Sequence, residues 1–397
     1  CIRDRYTSLA APHKLEKRLL ADGTYEALPT DNGPVEEEGL ERQDKLTLEG
    51  FLPAVKAQER KSFGELMEAA KTNPNLMNVV EGKETLDEFV DKLPTEALIH
   101  LLGGQPNTGV ANTFGMGNLP EYGIPNIMTA DGPAGLRIQP QCGVNTTAWP
   151  CATLLACTWD PELIEEIGKA GGEEVKENNI GIWLTPAVNI HRSPLCGRNF
   201  EYYSEDPLVA GKSGAAMVRG MQSEHIGASV KHFCCNNKET NRKDSDSRVS
   251  ERALREIYLK AFEIIVKEAD PYTIMSSYNL INGVHAANCY DTCTKAARDE
   301  WGFAGAIMTD WTTTNVQIQG ECTAAGCMRA GNDMVMPGLP EDHENIKKEL
   351  ADGTLTMAEL KRCIYNTVNI VLQSNMYEGA VSYLDQFDDL DTYLVVK

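Results

Sequence analysis

From about residue 95, short runs of apolar residues alternate with longer stretches in which apolar positions recur at helical spacing. Asp160-Pro161 predicts a helix start, residues 250–268 predict a long amphipathic helix, and Thr356 with Glu359 form a capping box for the last helix. The apolar runs predict six strands: Ile127–Ala130, Ile182–Pro186, Ala228–Lys231, Thr273–Ser276, Ala306–Thr309 and Met334–Met336. Strands that alternate with helices indicate parallel βαβ units, so we predict an α/β fold of the TIM type, a (β/α)8-like barrel.

The residues before this regular part have acidic clusters, few aromatic residues and little strand pattern. Residues 30–50 predict an irregular linker, and residues 63–71 predict a helix. A second helix over residues 86–92 opens with a capping box formed by Thr85 and Glu88. We interpret this part as a mostly helical and irregular extension that packs against the main domain.

These patterns divide the chain into an N-terminal extension over residues 1–94, a barrel over residues 95–375 and a C-terminal tail over residues 376–397. Residue 1 is a cysteine, and the N-terminus lacks the basic segment followed by an apolar one that a secretory signal would have. We therefore expect this chain to be a processed or truncated piece of a longer protein.

The composition is that of a soluble globular protein, with 42% hydrophobic and 24% charged residues. The 37 basic and 58 acidic residues give a net charge of −21, which disfavours nucleic acid and anionic membranes as partners because phosphate groups would be repelled. No apolar run is long enough to predict a membrane span. A neutral substrate suits this surface, and we predict a cytoplasmic protein.

The 12 cysteines are scattered among apolar residues, as at Cys151, Cys157, Cys234 and Cys235. Disulfide frameworks are typical of short secreted chains, and zinc sites need tighter cysteine pairs with further ligands. We therefore predict reduced, buried thiols without a catalytic role, a reducing cytoplasm and no metal site.

Polar residues follow five of the predicted strands. They are Asp131 after the first, Asn189 and His191 after the second, Lys231-His232 at the third, Tyr278-Asn279 after the fourth and Asp310 after the fifth. Because the carboxyl ends of barrel strands converge at one mouth, where active sites lie, we expect these side chains to form one site. The alternative is that each of them only orders its own loop.

Asp310 closes the segment A-I-M-T-D-W, with an apolar strand before it and the ring of Trp311 after it. A carboxylate in this position can attack an anomeric carbon and form a covalent glycosyl intermediate, although it can also cap the next helix. Lys231 and His232 supply two adjacent donors for neighbouring sugar hydroxyls. A serine hydrolase is not indicated, because the chain has no G-x-S-x-G elbow.

Two further charged residues suit the recognition of a sugar. Asp131 lies on a tight turn in T-A-D-G-P-A-G-L-R and can accept hydrogen bonds from vicinal hydroxyls. Arg198, in P-L-C-G-R-N-F-E-Y-Y-S-E-D-P, is a planar cation that can bond a sugar hydroxyl or orient Asp131. Tyr278 can donate its hydroxyl hydrogen to the nucleophile.

These motifs together resemble glycoside hydrolase family 3. The matching segments occur in the family's order and cover about residues 95–375: T-A-D-G-P-A-G-L-R, N-I-H-R-S-P-L-C-G-R-N-F-E-Y-Y-S-E-D-P, K-H-F-C-C-N-N-K-E-T-N-R, S-E-R-A-L-R-E-I-Y-L, I-M-S-S-Y-N and G-A-I-M-T-D-W. The resemblance implies a TIM-like barrel, a retaining mechanism and a terminal β-linked sugar as substrate. It favours the β-glucosidase branch, because C-C-N-N-K-E follows K-H-F where the N-acetylglucosaminidase branch has a His-Asp loop.

The resemblance also implies roles for individual residues. Asp310 would be the nucleophile, Tyr278 would support it and Trp311 would line the site. The residues that would bind the sugar in the cleaved subsite are Asp131, Arg198, Lys231 and His232, with Arg192 and Met275 as weaker candidates at its floor. The chemistry requires no metal and no organic cofactor.

One departure from the family pattern concerns the general acid/base, which in this branch is usually a Glu on a second, α/β sandwich domain. Residues 376–397 are too few to form that domain. The resemblance therefore implies an acid/base outside this chain, on a preceding sandwich domain of a domain-permuted enzyme or on a second chain. Glu239 and Glu251 are poor substitutes, because we expect both to order a loop or a helix end.

The expected activity is that of a retaining glycosidase that removes terminal β-D-glucosyl residues from the non-reducing ends of β-glucosides or short β-linked oligosaccharides. A β-xylosidase of the same family is the nearest alternative, because Asp131 and its neighbours decide whether a C6 hydroxymethyl group fits. A non-catalytic sugar-binding barrel is the alternative of another class, since the motifs support binding as well as catalysis.

Overall fold

A computed structural model describes residues 17–19, 24–27, 59–62, 72–107, 109–139, 142–315, 322–374 and 392–395. The chain forms two compact units, Cys1–Asp44 and Lys45–Lys397. In the first unit, strand β1 (Lys17–Leu19) pairs antiparallel with β2 (Tyr25–Ala27). The predicted linker over residues 30–50 and the predicted helix over residues 63–71 lie outside the described residues.

The second unit is built around a six-stranded sheet with the order β12-β9-β7-β6-β5-β4. Its neighbouring strands are parallel except for β4 and β5, which are antiparallel. The strands of this unit are β3 (Glu59–Ser62), β4 (Gly115–Leu119), β5 (Ile124–Ala130), β6 (Ile182–Trp183), β7 (Gly227–Phe233), β8 (Asp246–Ser247), β9 (Thr273–Ser276), β10 (Leu280–Ile281), β11 (Val284–His285), β12 (Ala306–Met308) and β13 (Thr392–Val395). Strands β8, β10 and β11 form a small separate sheet, and β3 pairs with β13.

Isolated β-bridges close the central sheet into a barrel. Met308 of β12 bridges to Met334, Val335 bridges to Gly103, and Gln105 bridges to Gly115 of β4. The segments 103–105 and 334–335 therefore add two strand positions to the six strands, which gives eight strand positions around the barrel within the described residues. The predicted TIM-like barrel is confirmed.

Several strand predictions need correction in extent. Met334–Met336 forms only bridges, and it is followed by Pro337, which has no N–H to continue a ladder. The predicted strand Ile182–Pro186 is a regular strand only over Ile182–Trp183, and Pro186 likewise has no N–H to continue the ladder. Two barrel positions, residues 103–105 and β4, were not predicted, because their glycines give no strand pattern.

The helices of the second unit are α1 (Met77–Val80), α2 (Leu86–Lys92), α3 (Thr95–Leu101), α4 (Ala152–Ala156), α5 (Pro161–Glu177), α6 (Pro207–Gln222), α7 (Glu251–Ala253), α8 (Lys260–Ala269), α9 (Ala324–Ala330), α10 (Pro340–Asp352) and α11 (Met357–Gln373). The predicted caps are confirmed, since the side chains of Thr85, Asp160 and Thr356 each accept a hydrogen bond from a main-chain N–H of the first turn. Within the described residues, no helix is both long and apolar enough to cross a membrane.

The predicted helix over residues 250–268 is helical throughout but not a single α-helix. It begins as α7, widens into a π-helical segment over Leu254–Tyr258 and continues as α8. A second π-helical segment spans Asp291–Glu300. Apolar spacing in a sequence does not separate these wider turns from ordinary α-helical ones.

Helix α2, which belongs to the predicted N-terminal extension, shares an apolar core with the barrel. Its buried residues Phe89 and Val90 lie in one cluster with Ile364 of α11 and Met308 of β12. This contact agrees with the expectation that the extension packs on the main domain, while a domain boundary at residue 94 stays a prediction.

Glycines bring α5 and α6 into close contact. A Cβ at Gly168 would lie 2.6 Å from the Met217 carbonyl oxygen, and one at Gly220 would lie 2.1 Å from the Glu165 carbonyl oxygen. Only glycine allows the two backbones to approach this closely. The pair covers β6 and β7, whose ends carry residues of the candidate site.

Candidate active site

The carboxyl ends of the parallel strands bring four predicted site residues to one place. Asp131 follows β5, Lys231 and His232 lie near the end of β7, and Asp310 follows β12. Lys231 Nζ donates to Asp131 Oδ1 at 2.6 Å, although the two residues are 100 positions apart in the sequence. His232 Nε2 lies 3.9 Å from Asp310 Oδ2. The strand-end residues therefore form one cluster rather than separate loop contacts.

Asp131 and Lys231 form a partly buried ion pair. The Lys231 side chain is 3% exposed and that of Asp131 is 31% exposed, so the carboxylate keeps one open face. Burial opposes ionisation of Asp131, but the charge and hydrogen bond of Lys231, followed by the charges of Arg137 and Arg198, lower its pKa. Asp131 is consequently an ionised acceptor that hydroxyl groups can reach.

Arg198 connects a buried carboxylate with His232. Its Nε donates to Glu201, whose side chain is 2% exposed, and its Nη2 contacts His232 Nε2 at 2.8 Å. Burial disfavours the charge on Arg198, but Glu201 more than offsets this and raises the pKa of the guanidinium. Because arginine only donates, His232 Nε2 must accept, and we assign the proton of the neutral ring to Nδ1.

The imidazole of His232 is held neutral. Burial, followed by the positive charges of Arg198, Lys231 and Arg242, keeps its pKa well below the ordinary value. Asn189 fixes the main chain on both sides of the residue: its Nδ2 donates to the His232 carbonyl oxygen at 2.9 Å, and its Oδ1 accepts from the His232 N–H at 2.8 Å.

Asp310 has a carboxylate that is desolvated but supported by donors and positive charge. The N–H of Trp311 donates to Oδ1 at 2.7 Å, and the side chain is 13% exposed. Burial raises the pKa of Asp310, whereas the Trp311 N–H, the charges of Arg198 and Lys231, and Tyr278 act in the opposite direction. A weakly solvated carboxylate with its second oxygen toward the cluster suits nucleophilic attack.

Tyr278 and Trp311 lie next to this carboxylate. The Tyr278 hydroxyl donates to the main-chain oxygen of Trp311 at 2.8 Å, and it lies within hydrogen-bond reach of Asp310 as well. Burial, followed by the charge of Asp310, raises the pKa of the phenol, so it remains a donor. The Trp311 ring is 38% exposed and packs edge-on against Phe114, with ring centroids 5.0 Å apart.

The two weaker candidates lie apart from the cluster. Arg192 Nη1 donates to the Tyr258 hydroxyl at 2.7 Å in an exposed position. It lines a cavity of about 560 Å³ together with Glu239 and Cys235. Met275 is 6% exposed and belongs to the apolar core of the barrel.

Asn189, which was expected at the strand ends, joins the cluster by fixing the main chain at His232. Two further residues of the site were missed by sequence reasoning. Glu201 is the counterion of Arg198, and the Arg242 guanidinium lies 4.6 Å from the centroid of the Tyr278 ring. The available signals were the i, i+3 spacing of Arg198 and Glu201 and the position of Arg242 at the end of K-E-T-N-R. Neither segment has a regular period, which is why neither stood out.

The glutamates considered as second carboxylates are engaged elsewhere. Glu239 Oε2 pairs with Arg242 at 3.0 Å, and its Oε1 accepts from Asn236 at 3.3 Å. Glu251 is 78% exposed and pairs with Arg255 at 3.0 Å. Both therefore order a loop or a helix start.

The cysteines are not among the residues of this cluster. In the part of the chain that the structure describes, 11 cysteines are free. Cys157 is exposed and Cys151 is only partly buried, so the predicted burial is wrong for both. They flank the short helix α4, and their apolar neighbours in the sequence were the reason for expecting burial. No group of three or more His, Cys, Asp or Glu side chains that could hold a metal occurs among the described residues.

A sequence profile described as the glycosyl hydrolase family 3 N terminal domain matches residues 117–369, a range that contains every predicted site residue. The chain belongs to glycosyl hydrolase family 3. The family domain is a TIM-like barrel, in agreement with the eight strand positions of this barrel.

Curated relatives within this family are named as β-glucosidases. β-Glucosidase A of Butyrivibrio fibrisolvens is 55% identical over 318 residues, which cover 78% of this chain and 38% of the relative. A β-glucosidase of Ruminococcus albus is 40% identical over 314 residues, which cover 76% of this chain and 33% of the relative. This family 3 chain therefore spans less than half the length of the relatives that it matches.

Among solved structures, β-glucosidase 3B from Thermotoga neapolitana in complex with glucose is similar, with a TM-score of 0.69 and 40% identity. The match covers 76% of this chain and 44% of the other. A β-glucosidase from Paenibacillus barengoltzii matches 90% of this chain and 39% of its own, with a TM-score of 0.71 and 37% identity.

Proposed function

We propose that this family 3 chain is the nucleophile-bearing barrel of a retaining β-glucosidase. In this proposal it removes terminal β-D-glucosyl residues from non-reducing ends through a covalent intermediate on Asp310. The observation that supports it most is the environment of Asp310, whose Oδ1 accepts from the Trp311 N–H at 2.7 Å while Oδ2 lies 3.9 Å from His232. The two curated relatives named as β-glucosidases support glucose as the sugar.

The sugar-binding roles follow from the donors and acceptors of the cluster. The ionised Asp131 accepts from vicinal hydroxyls, and the ammonium of Lys231 and the guanidinium of Arg198 donate to hydroxyls. His232 is neutral and accepts from Arg198, so it also orients that guanidinium. Hydrogen bonds to charged groups are stronger than bonds between neutral groups, so the cluster would favour a sugar whose hydroxyls reach these side chains.

Trp311 and Tyr278 act around the reacting carbon. The exposed edge of Trp311 lines the opening. The Tyr278 hydroxyl holds the main chain of Trp311, whose N–H in turn donates to the Asp310 carboxylate. Arg192 is bonded to Tyr258 apart from the cluster, and Met275 is buried in the apolar core. We assign these last two residues supporting roles only.

The proposed reaction has two displacements. The Asp310 carboxylate attacks the anomeric carbon, the bond to the leaving oxygen breaks, and an acid delivers a proton to that oxygen. Water then loses a proton to the same group and attacks the anomeric carbon, which releases the sugar and restores Asp310. Two inversions give net retention of configuration.

The acid/base is proposed to come from outside these 397 residues, on a sandwich domain or a second chain. Retaining glycosidases hold their two carboxyl groups about 5 Å apart. In the described part of this chain, three carboxylates are already paired: Asp131 with Lys231, Glu201 with Arg198, and Glu239 with Arg242. Brisk hydrolysis of an aryl β-glucoside by the isolated chain would contradict this part of the proposal.

The test of the activity compares Asp310→Asn with Asp299→Asn in the complete enzyme. Both variants make the same chemical change, but Asp299 is an exposed residue outside the cluster. We expect hydrolysis of an aryl β-glucoside to fall by at least about 10³-fold in Asp310→Asn and to remain unchanged in Asp299→Asn. Wild-type-like turnover by Asp310→Asn would remove Asp310 from the role, and binding without turnover by the complete wild type would favour a non-catalytic sugar-binding barrel.

A second candidate is a pentopyranosidase. Relatives named as exo-α-(1→6)-L-arabinopyranosidases of Bifidobacterium are 42% and 41% identical over 280 residues. Arabinopyranose and xylopyranose lack the C6 hydroxymethyl group, so the space beside Asp131 decides between these sugars and glucose. Values of kcat/KM for aryl β-glucoside, β-xyloside and α-L-arabinopyranoside on the complete enzyme separate the alternatives.

We also propose that the protein works in a reducing cytoplasm. Of the 11 free cysteines in the described residues, nine are buried. Alkylation of the protein in denaturant directly after cell lysis tests this, since every thiol should react without a reductant. Thiols that react only after reduction would argue for an oxidising compartment.

A further inference from the structure

Cys234 and Cys235 place two thiols side by side directly after the strand end that carries Lys231 and His232. Their sulfur atoms are 3.7 Å apart, and both residues are buried, with 0% and 4% exposure. Adjacent residues of a strand point to opposite faces, which would separate these sulfurs. Here β7 ends at Phe233, and Cys235 has a φ of 64°, in the left-handed region, so the two thiols lie together.

The 3.7 Å separation suits a single bridging atom. It is too long for a disulfide bond, which is about 2.05 Å. Two sulfurs that bind one centre at about 2.3 Å each lie about 3.3 Å apart for a bond angle of about 90°, as in a pyramidal trivalent centre, and about 3.8 Å apart at the tetrahedral angle. The pair can therefore chelate one soft atom with little movement of the sulfurs.

The surroundings decide which soft atom fits. No third His, Cys, Asp or Glu in the described residues completes a metal site here. A divalent ion would thus keep only two protein ligands, whereas a trivalent organoarsenic centre, with one carbon substituent, needs only two sulfurs. Cys235 lines the cavity of about 560 Å³ beside Glu239 and Tyr258. The organic substituent on arsenic can enter through this cavity and lie in it.

We propose that Cys234 and Cys235 form a covalent binding site for trivalent organoarsenicals. In the reaction with phenylarsine oxide, two S–As bonds form and the As–O bond is lost. Both thiol protons go to the oxygen, which leaves as water. Burial raises the pKa of Cys234, so this thiol enters the reaction protonated and supplies one of the two protons.

Binding at this pair would also reach the candidate active site. The carbonyl oxygen of Cys234 accepts from Ser277 Oγ at 2.8 Å and from Asn279 Nδ2 at 3.2 Å, and that of Cys235 accepts from Ser247 Oγ at 3.1 Å. These bonds tie the dithiol segment to the residues on either side of Tyr278. A bridging arsenic atom would lock the segment in one conformation.

The test is the uptake of phenylarsine oxide by the purified protein, measured by intact mass. We expect one phenylarsenic group per chain, released by a dithiol and retained in the same thiol concentration of a monothiol. Cys235→Ser should abolish uptake. Two controls should keep it: Cys157→Ser, which removes an exposed single thiol, and Cys327→Ser, which breaks the other buried pair formed with Cys322.

Peptide mapping of the wild type keeps the proposal testable if Cys235→Ser fails to fold. After uptake, the other thiols are alkylated in denaturant, the arsenic is removed with a dithiol, and the released thiols receive a second alkyl label. We expect the second label on Cys234 and Cys235. Absence of uptake by the native protein, uptake that persists in a folded Cys235→Ser, or a second label at Cys322 and Cys327 would overturn the proposal.

Discussion

Glu201→Gln is the change that probes most directly how the cluster is held together. Glu201 is 2% exposed and is the counterion of Arg198, which is 20% exposed and also contacts His232. Glutamine keeps the shape and one acceptor oxygen but removes the charge. Arg198 then remains largely buried without its main partner.

The expected magnitude follows from this burial. Breaking a buried pair by removing one partner costs about 3–5 kcal/mol, because an uncompensated charge remains. The acceptor oxygen that the glutamine retains and the nearby charge of Asp310 offset part of the loss, so we expect the free energy of unfolding to fall by about 2–3 kcal/mol. Arg198→Met in the Glu201→Gln background should cost less than the sum of the two single changes, with a coupling energy of about 2 kcal/mol.

The assay is equilibrium unfolding in urea for the two single variants, the double variant and a matched surface control. Glu256→Gln makes the same chemical change in an ion pair with Arg252 whose side chains are 61% and 84% exposed, and we expect less than about 0.5 kcal/mol. Additive single changes, or a Glu201→Gln cost equal to that of the control, would refute the claim that this pair supports the cluster.

Three further changes test other parts of the structure. Asp310→Asn should raise the free energy of unfolding at neutral pH by about 0.5–2 kcal/mol. Burial raises the pKa of Asp310, so its ionisation costs stability as the pH rises through the folded-state pKa. A free energy of unfolding below that of the wild type, measured in urea, would contradict this. His232 has a depressed pKa, so the unfolded chain takes up a proton below about pH 6.5 that the folded state refuses. His232→Gln should consequently lose less stability than the wild type between about pH 7.5 and 5.5, and equal losses would contradict the assignment. Phe89→Ala should lower the free energy of unfolding by about 3–5 kcal/mol if α2 belongs to the barrel core. The control Leu208→Ala, at a 56% exposed position, should lower it by less than about 0.5 kcal/mol. An equally small decrease for Phe89→Ala would mean that α2 is not needed for the stability of the barrel.

The strand ends were the part of the site that the sequence could predict. Asp131, Lys231, His232 and Asp310 each end a short apolar run, and in a barrel such ends must meet. The 2.6 Å contact of Lys231 with Asp131 and the 3.9 Å separation of His232 from Asp310 bear out that convergence. The family motifs added which of these residues to expect as the nucleophile.

Residues on irregular segments could not be predicted in the same way. Glu201 lies on a single 3-10 turn after Arg198, and Arg242 lies in a loop, so no period placed them at the cluster. The barrel strand position at residues 103–105 is glycine-rich, and its pairing depends on Val335, which is distant in the sequence. Such contacts are set by tertiary packing rather than by local propensity.

The central claim is that Asp310 is the nucleophile of a retaining glycosidase. The most direct measurement treats the complete enzyme with an activated 2-deoxy-2-fluoro-β-glucoside and identifies the labelled peptide by mass spectrometry. We expect one fluoroglucosyl group per chain, bonded to Asp310 in the peptide that contains M-T-D-W, and no label in Asp310→Asn. A label on another carboxylate, or inverted configuration of the released glucose without any labelled intermediate, would contradict the account.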